Sequence, residues 1–461
     1  MTTRGAIPPS IKDALESEHG YVVTITGMPG TGKSLLVNEI FREFDNSFIV
    51  LSQSEASSQL LHALLAAPDW DSRHIITHFW RRPDYDEIQK LSLKEQMIQL
   101  LGQSPEADFD ILIIDSWTSF LLPIEPARQN EIQQAITYSA RSERKKLVLV
   151  VDGHPKAALD DDLPLFSSSD AIVNLQRFRQ DQRMYRELNI EKLRGRQVSQ
   201  DMFLFTLNGG RFTYLPWHVH KFPPITIETD PIEDPSPEHV STGNKSLDQI
   251  LGGGFRKRGL SLIEVESLAA PYLETIYIPF LSNYLQLGRP AVVLLPEGWS
   301  PERFIRGIGH FVDVDVVRER VIFFGRQVFG TAKNVRAISD DPFKTLQEIR
   351  YESAQLEKKF NATPTELFAL NTLENKYGPT MVKGMMAELT AVLPESERAV
   401  VAILSSQQEL ESGSISHSIH LRVKELCGVL SVCGVTPRTN FLAVRPILSR
   451  GSLDYELVPI E

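Results

Sequence analysis

The chain has 461 residues, of which 42% are hydrophobic and 23% charged, with a formal net charge of −11. That length exceeds what one hydrophobic core serves and points to about two to four domains, while the apolar content excludes a disordered chain. The acidic balance argues against binding nucleic acid or an anionic membrane by bulk charge.

The first twenty residues, MTTRGAIPPSIKDALESEHG, hold no apolar signal core. No run of about eighteen uncharged apolar residues follows, so a cytoplasmic protein without a membrane span is expected. Ile11 to Glu18 reads as a turn or two of helix. Tyr21-Val22-Val23-Thr24-Ile25-Thr26 is a β-branched, apolar strand candidate, and Leu35 to Phe41 is apolar at helical spacing. Between them lies GMPGTGKS, which is Gly27, Met28, Pro29, Gly30, Thr31, Gly32, Lys33 and Ser34. A glycine-rich stretch between a strand and a helix, ending in Lys-Ser, is the pattern of a phosphate-binding loop. Glycines let the backbone curl so that successive N–H groups face phosphate oxygens, and the helix start adds positive charge. Lys33 is expected at the β- and γ-phosphates, and the Ser34 hydroxyl on a magnesium ion.

Ser47 to Ser52 reads as a buried strand with Gln53-Ser54-Glu55 at its C-terminal end. Helical patterns follow around Leu60 to Leu65 and from Tyr85 to Leu101. Asp110-Ile111-Leu112-Ile113-Ile114-Asp115 is an aliphatic strand that delivers Asp115 at its tip, where an acid could hold magnesium through water. A further strand, Lys145 to Asp152, ends at Asp152-Gly153-His154. A β-rich stretch from Ala171 leads to Glu191-Lys192-Leu193-Arg194-Gly195. Strands alternating with helices imply a mostly parallel sheet covered on both faces.

Around 220–238 the chain is rich in proline and acid and reads as a linker. Beyond it the order of elements repeats: STGNKSLDQILGGGF, then strands at Gly259 to Val265, Ala291 to Leu295, Glu366 to Leu370 and Ala399 to Leu404. This is the mark of an internal duplication. The expected organisation is therefore 1–219, a linker over 220–238, and 239–461. Cys427 and Cys433 fit neither a zinc knuckle nor a redox pair and read as reduced thiols.

These motifs resemble the RecA-like ATPases and, through STGNKSLDQILGGGF and the Lys192-Leu193-Arg194-Gly195 segment, their KaiC-like branch. The layout, with its intact loop at the N-terminal end, is similar to that of the archaeal gas-vesicle regulators of the GvpD type. The resemblance implies an α/β chain of two RecA-like domains in tandem, the first binding ATP and magnesium. It also implies that Lys192 and Arg194 reach across a subunit boundary to the neighbour's γ-phosphate. The assembly is then a homo-oligomer with nucleotide at its interfaces, for which a hexameric ring is one arrangement.

Departures from the family pattern carry their own expectations. Gln53 and Ser54 stand where KaiC-like domains usually carry two glutamates, with Glu55 one residue later. Gln53 could orient a water without taking its proton, so slow hydrolysis is expected. In the second half, Glu266 to Thr275 has no glycines and no lysine where a loop should be. Asn371 stands at the second strand tip and Leu448 replaces the lysine before Arg450-Gly451. The second domain reads as degenerate, with Glu297 capping the helix that follows it.

The expected function is a magnesium-dependent ATPase that acts as a regulatory switch on an unidentified protein partner. The alternatives are a GvpD-like transcription regulator or DNA-binding protein, and a scaffold that binds ATP with little hydrolysis. Arg177 to Arg196 holds seven basic residues and three acids. Its aromatics are only Phe178 and Tyr185, so it reads as a solvated face plus the inter-subunit pair rather than a nucleic-acid platform.

Overall fold

The computed structural model describes residues 6–51, 75–76, 109–122, 125–153, 164–217, 230–267, 270–326, 333–447 and 454–461. The chain divides into two compact units, Met1–Pro216 with Ile460–Glu461, and Trp217–Pro459. Both are mixed α/β, and the helices expected over 60–65 and 85–101 lie outside the described residues.

In the first unit the strands are β1 (Tyr21–Gly27), β2 (Ser47–Leu51), β3 (Ile75–Ile76), β4 (Ile111–Asp115), β5 (Lys146–Asp152), β6 (Ala171–Gln180), β7 (Arg183–Leu193), β8 (Met202–Thr206) and β9 (Thr213–Leu215). The helices described are α1 (Pro9–Leu15), α2 (Lys33–Glu43), α3 (Trp117–Leu121), α4 (Pro126–Ser142) and α5 (Pro164–Ser168). The sheet runs β3-β2-β4-β5-β1-β6-β7-β8-β9. It is parallel from β3 through β6 and antiparallel beyond.

The aliphatic runs show no polar alternation because both faces of these strands are buried. Val23, Ile25, Ile111, Ile113, Val148 and Val150 meet α1 and α2 through Ile11, Leu36, Val37 and Ile40. Their neighbours in sequence, Val22, Leu112, Ile114, Leu147 and Leu149, meet α3 and α4 through Trp117, Phe120, Ile132 and Ile136. Helices on opposite faces hold the strand tips in one line, which is what a site at those tips needs.

The second unit has the strands β10 (His239–Val240), β11 (Phe255–Arg256), β12 (Gly259–Val265), β13 (Ala291–Leu294), β14 (Val321–Gly325), β15 (Val335–Ala337), β16 (Thr365–Ala369), β17 (Ala399–Ser405), β18 (Ile419–Leu426), β19 (Val429–Thr436), β20 (Leu442–Ile447) and β21 (Asp454–Pro459). Its large sheet runs β15-β14-β13-β16-β17-β12-β18-β19-β20-β21, which repeats the first order with one strand added at the edge. The repeat extends to register, since β1 and β5 pair from Tyr21↔Lys146 to Gly27↔Asp152, and β12 and β17 pair from Gly259↔Ala399 to Val265↔Ser405.

The helix Lys245–Leu251, here α6, is fastened by a buried knot. Asp248 accepts from Ser241 Oγ at 2.6 Å, Thr242 N at 2.7 Å and Thr242 Oγ1 at 2.7 Å. Asn244 caps the helix by accepting from Leu247 N at 2.8 Å. The stretch STGNKSLD is therefore structural glue in this unit. Residues 230–238, expected as linker, belong to the same unit. Asn283 exchanges hydrogen bonds with Ile232 N (2.6 Å) and Ile232 O (2.9 Å), and Asp234 pairs with Arg289 (2.9 Å) and Lys257 (3.3 Å). Of the acids in the segment, Asp234 is the one these two basic partners hold. Residues 220–229 lie outside the described residues.

Candidate functional site

The sequence GMPGTGKS turns the chain from β1 into α2. Gly27, Gly30 and Gly32 have φ of 149°, 77° and 108°, a region that side chains disfavour. Gly27 and Gly32 are also pressed from behind, where a Cβ would lie 2.5 Å from Leu175 O and 3.0 Å from the Leu207 methyls respectively. Gly30 faces open space, with no atom within 4 Å of a would-be Cβ. Thr31 Oγ1 donates to Met28 O at 2.9 Å and tightens the turn.

Lys33 opens α2 and is only 7% exposed. Its ammonium donates to Gly27 O at 2.7 Å and Met28 O at 3.2 Å, and pairs with Asp152 Oδ1 at 2.9 Å. Asp152 ends β5 beside Gly27. Ser116 Oγ donates to Asp152 Oδ2 at 3.4 Å, and Asp152 N donates to Thr118 Oγ1 at 2.8 Å.

Asp115 ends β4 in the buried interior of the same cluster. Burial pushes its carboxyl above the ordinary range, against the Ser34 hydrogen bond and the Lys33 charge, while nearby Asp152 adds to the rise. Thus Lys33, Ser34, Asp115 and Asp152 converge at the C-terminal ends of parallel strands. Sequence reasoning noted Asp152 only as a strand end. The signal was there: like Asp115, it is an acid closing an aliphatic run.

Other expected site residues lie elsewhere. Gln53, Ser54 and Glu55 lie outside the described residues. Lys192 and Arg194 are at the far end of β1 from the loop. Lys192 pairs in register with Ile172, and Tyr21 at the start of β1 donates its hydroxyl to Arg194 O at 3.0 Å. Lys192 Nζ donates to Phe166 O (3.0 Å) and Ser167 O (3.2 Å), and burial, then the Arg194 charge, lowers its pKa. Arg194 pairs at 3.3 Å with Asp170, which also takes Arg141 and Val22 N. The hairpin β6–β7 stacks Phe178 on Tyr185 at 5.7 Å, with Arg177 and Arg179 exposed.

The corresponding end of the second unit differs. Val265 and Ser405 stand in register where the first unit has Gly27 and Asp152. Glu266 follows, its carboxylate taken by the N–H of Glu425 at 2.9 Å. Two expectations are corrected here. The strand β16 stops at Ala369, and Asn371 is a buried residue in the first turn of the helix Leu370–Tyr377 rather than a strand tip. The helix Pro301–Ile308 is capped by Ser300, which accepts from Arg303 N at 3.2 Å. Glu297 pairs instead with Arg326 at 3.5 Å, because Ser300 directly precedes the helix and reaches its free N–H first. Leu448, Arg450 and Gly451 lie outside the described residues.

No protein-family model matches this chain, and a comparison with curated proteins finds no match.

Proposed function

We propose that the protein is a magnesium-dependent ATPase of the KaiC-like kind, built from two RecA-like domains of which only the first holds nucleotide. The observation that carries this is the convergence of Lys33, Ser34 and Asp115 on one end of the parallel strands, under a loop whose Gly30 faces open space. The open side and the inward curl fit a phosphate chain, and the hydrogen-bonded Ser34 and Asp115 form a donor set of oxygens suited to magnesium. The N–H groups of Gly27 to Ser34 would cradle the phosphates and Lys33 would neutralise them. The bound ion supplies further neutralisation of phosphate charge.

Gln53 is proposed to orient the attacking water, and Glu55, two residues on, to serve as its base if the loop shifts. Because Lys192 and Arg194 stand at the opposite end of their own sheet, their proposed role is on a neighbouring chain's nucleotide. The second domain, with Glu266 and Ser405 in place of loop and acid, is proposed as a degenerate copy whose work is regulatory.

The test is phosphate release from Mg-ATP by the full chain and by Lys33→Ala, over a range of protein concentration. Turnover that rises in specific activity with concentration and vanishes in Lys33→Ala is expected. ATP binding without any phosphate release would make the protein a scaffold, and no binding would end the proposal.

A further inference from the structure

The Lys33 ammonium is fully engaged by groups of its own chain. An ammonium has three protons. Here Gly27 O, Met28 O and Asp152 Oδ1 take them, at 2.7, 3.2 and 2.9 Å. The carbonyls belong to the loop itself and come with it. Asp152 does not: it comes from β5 and its side chain is 41% exposed. It is aimed by Ser116 through its carboxylate and by Thr118 through its N–H, both from the segment that follows Asp115.

We propose that Asp152 is a latch that holds Lys33 away from incoming phosphate, so that nucleotide binding is an exchange of partners on one ammonium. The proposal rests on the nucleotide-site reading above. The physical argument is competition. A phosphate must take Lys33 from a carboxylate already 2.9 Å away, and it then leaves that carboxylate uncompensated beside an anion. Both effects weaken binding and move the response to higher nucleotide concentration. The second unit has no lysine at this place and has Ser405 where Asp152 stands, so the acid and the cation are absent together.

The full chain is compared with Asp152→Asn and with Asp152→Ser, the residue the second unit carries. The first readout needs no nucleotide: the rate at which acetic anhydride acetylates Lys33, followed by peptide mass spectrometry. Release of a half-exposed ion pair is expected to raise that rate about fivefold. The second is the Mg-ATP dissociation constant by calorimetry, expected to tighten about fivefold for the same reason. Unchanged Lys33 reactivity in both variants overturns the latch, whatever nucleotide does. Raised reactivity with unchanged or weaker ATP affinity overturns its control of binding. If wild type and variants all fail to bind ATP while reactivity rises, the contact is real, but the nucleotide reading falls and the proposed exchange with it.

Discussion

Two glycines of one loop separate stability from binding. Gly27 and Gly30 both have positive φ, so alanine strains either position. At Gly30 nothing else is added, because no atom lies within 4 Å of the new methyl, and the cost is about 1 kcal/mol. At Gly27 the methyl would sit 2.5 Å from Leu175 O and 2.8 Å from Thr31 Oγ1. Leu175 belongs to a buried strand paired with Leu188, so that carbonyl cannot yield without disturbing the β6–β7 ladder. Strain plus overpacking brings Gly27→Ala to about 3 kcal/mol. In thermal unfolding of the full chain, followed by circular dichroism, the first unit's transition should fall by roughly 6–12 °C for Gly27→Ala and about 3 °C for Gly30→Ala. Binding of Mg-ATP should respond in the opposite sense. Gly30→Ala fills the open side and should lose about tenfold or more in affinity, the scale of a displaced phosphate contact. Wild-type affinity in Gly30→Ala would refute the placement of phosphate over Gly30. Equal stability of the two variants would refute the steric argument.

Carboxylates of opposite character give pH tests in each unit. Burial raises the pKa of Asp115 above its ordinary 3.8, so between 3.8 and the folded pKa the folded form holds a proton the unfolded form has released. The stability this group contributes is present below 3.8 and lost as pH rises through the folded pKa. At pH 7 Asp115→Asn should therefore unfold at higher temperature, by about 1 kcal/mol in stability, and should lose the magnesium dependence of ATP binding. Equal melting of variant and wild type at pH 7 would count against a cost of burying the Asp115 carboxyl. In the second unit Glu264 is driven the other way, from 4.5 to about 2, chiefly by its hydrogen bond to His420 and then by that to Arg422, against the cost of burial. Both partners stand at 3.0 Å. That stability is present above pH 4.5 and lost as pH falls towards about 2. Acid titration of unfolding should show the loss in wild type and not in Glu264→Gln, whose amide has nothing to protonate.

Much of this protein is written in short-range pattern. The β-branched run before Gly27 and the helical spacing after Ser34 each specify their own element, because burial on one side of a helix or both sides of a strand depends on residue order alone. The curl of the loop is likewise local, set by glycines at 27, 30 and 32 that adopt φ values side chains resist. The internal repeat was legible for the same reason, since each half carries its own apolar strands. What remained illegible depends on neighbours distant in sequence. Lys33 and Asp152 meet only because β1 and β5 lie side by side in register, although 118 residues of chain lie between the two. Whether 230–238 swings free or packs was decided by Asn283, Arg289 and Lys257, which nothing in the segment's own composition announces. Ser300 rather than Glu297 caps its helix, and β16 stops before Asn371, because boundaries follow the packing of whole elements. Local sequence determines what each element is, and the tertiary structure alone decides which charges it brings together.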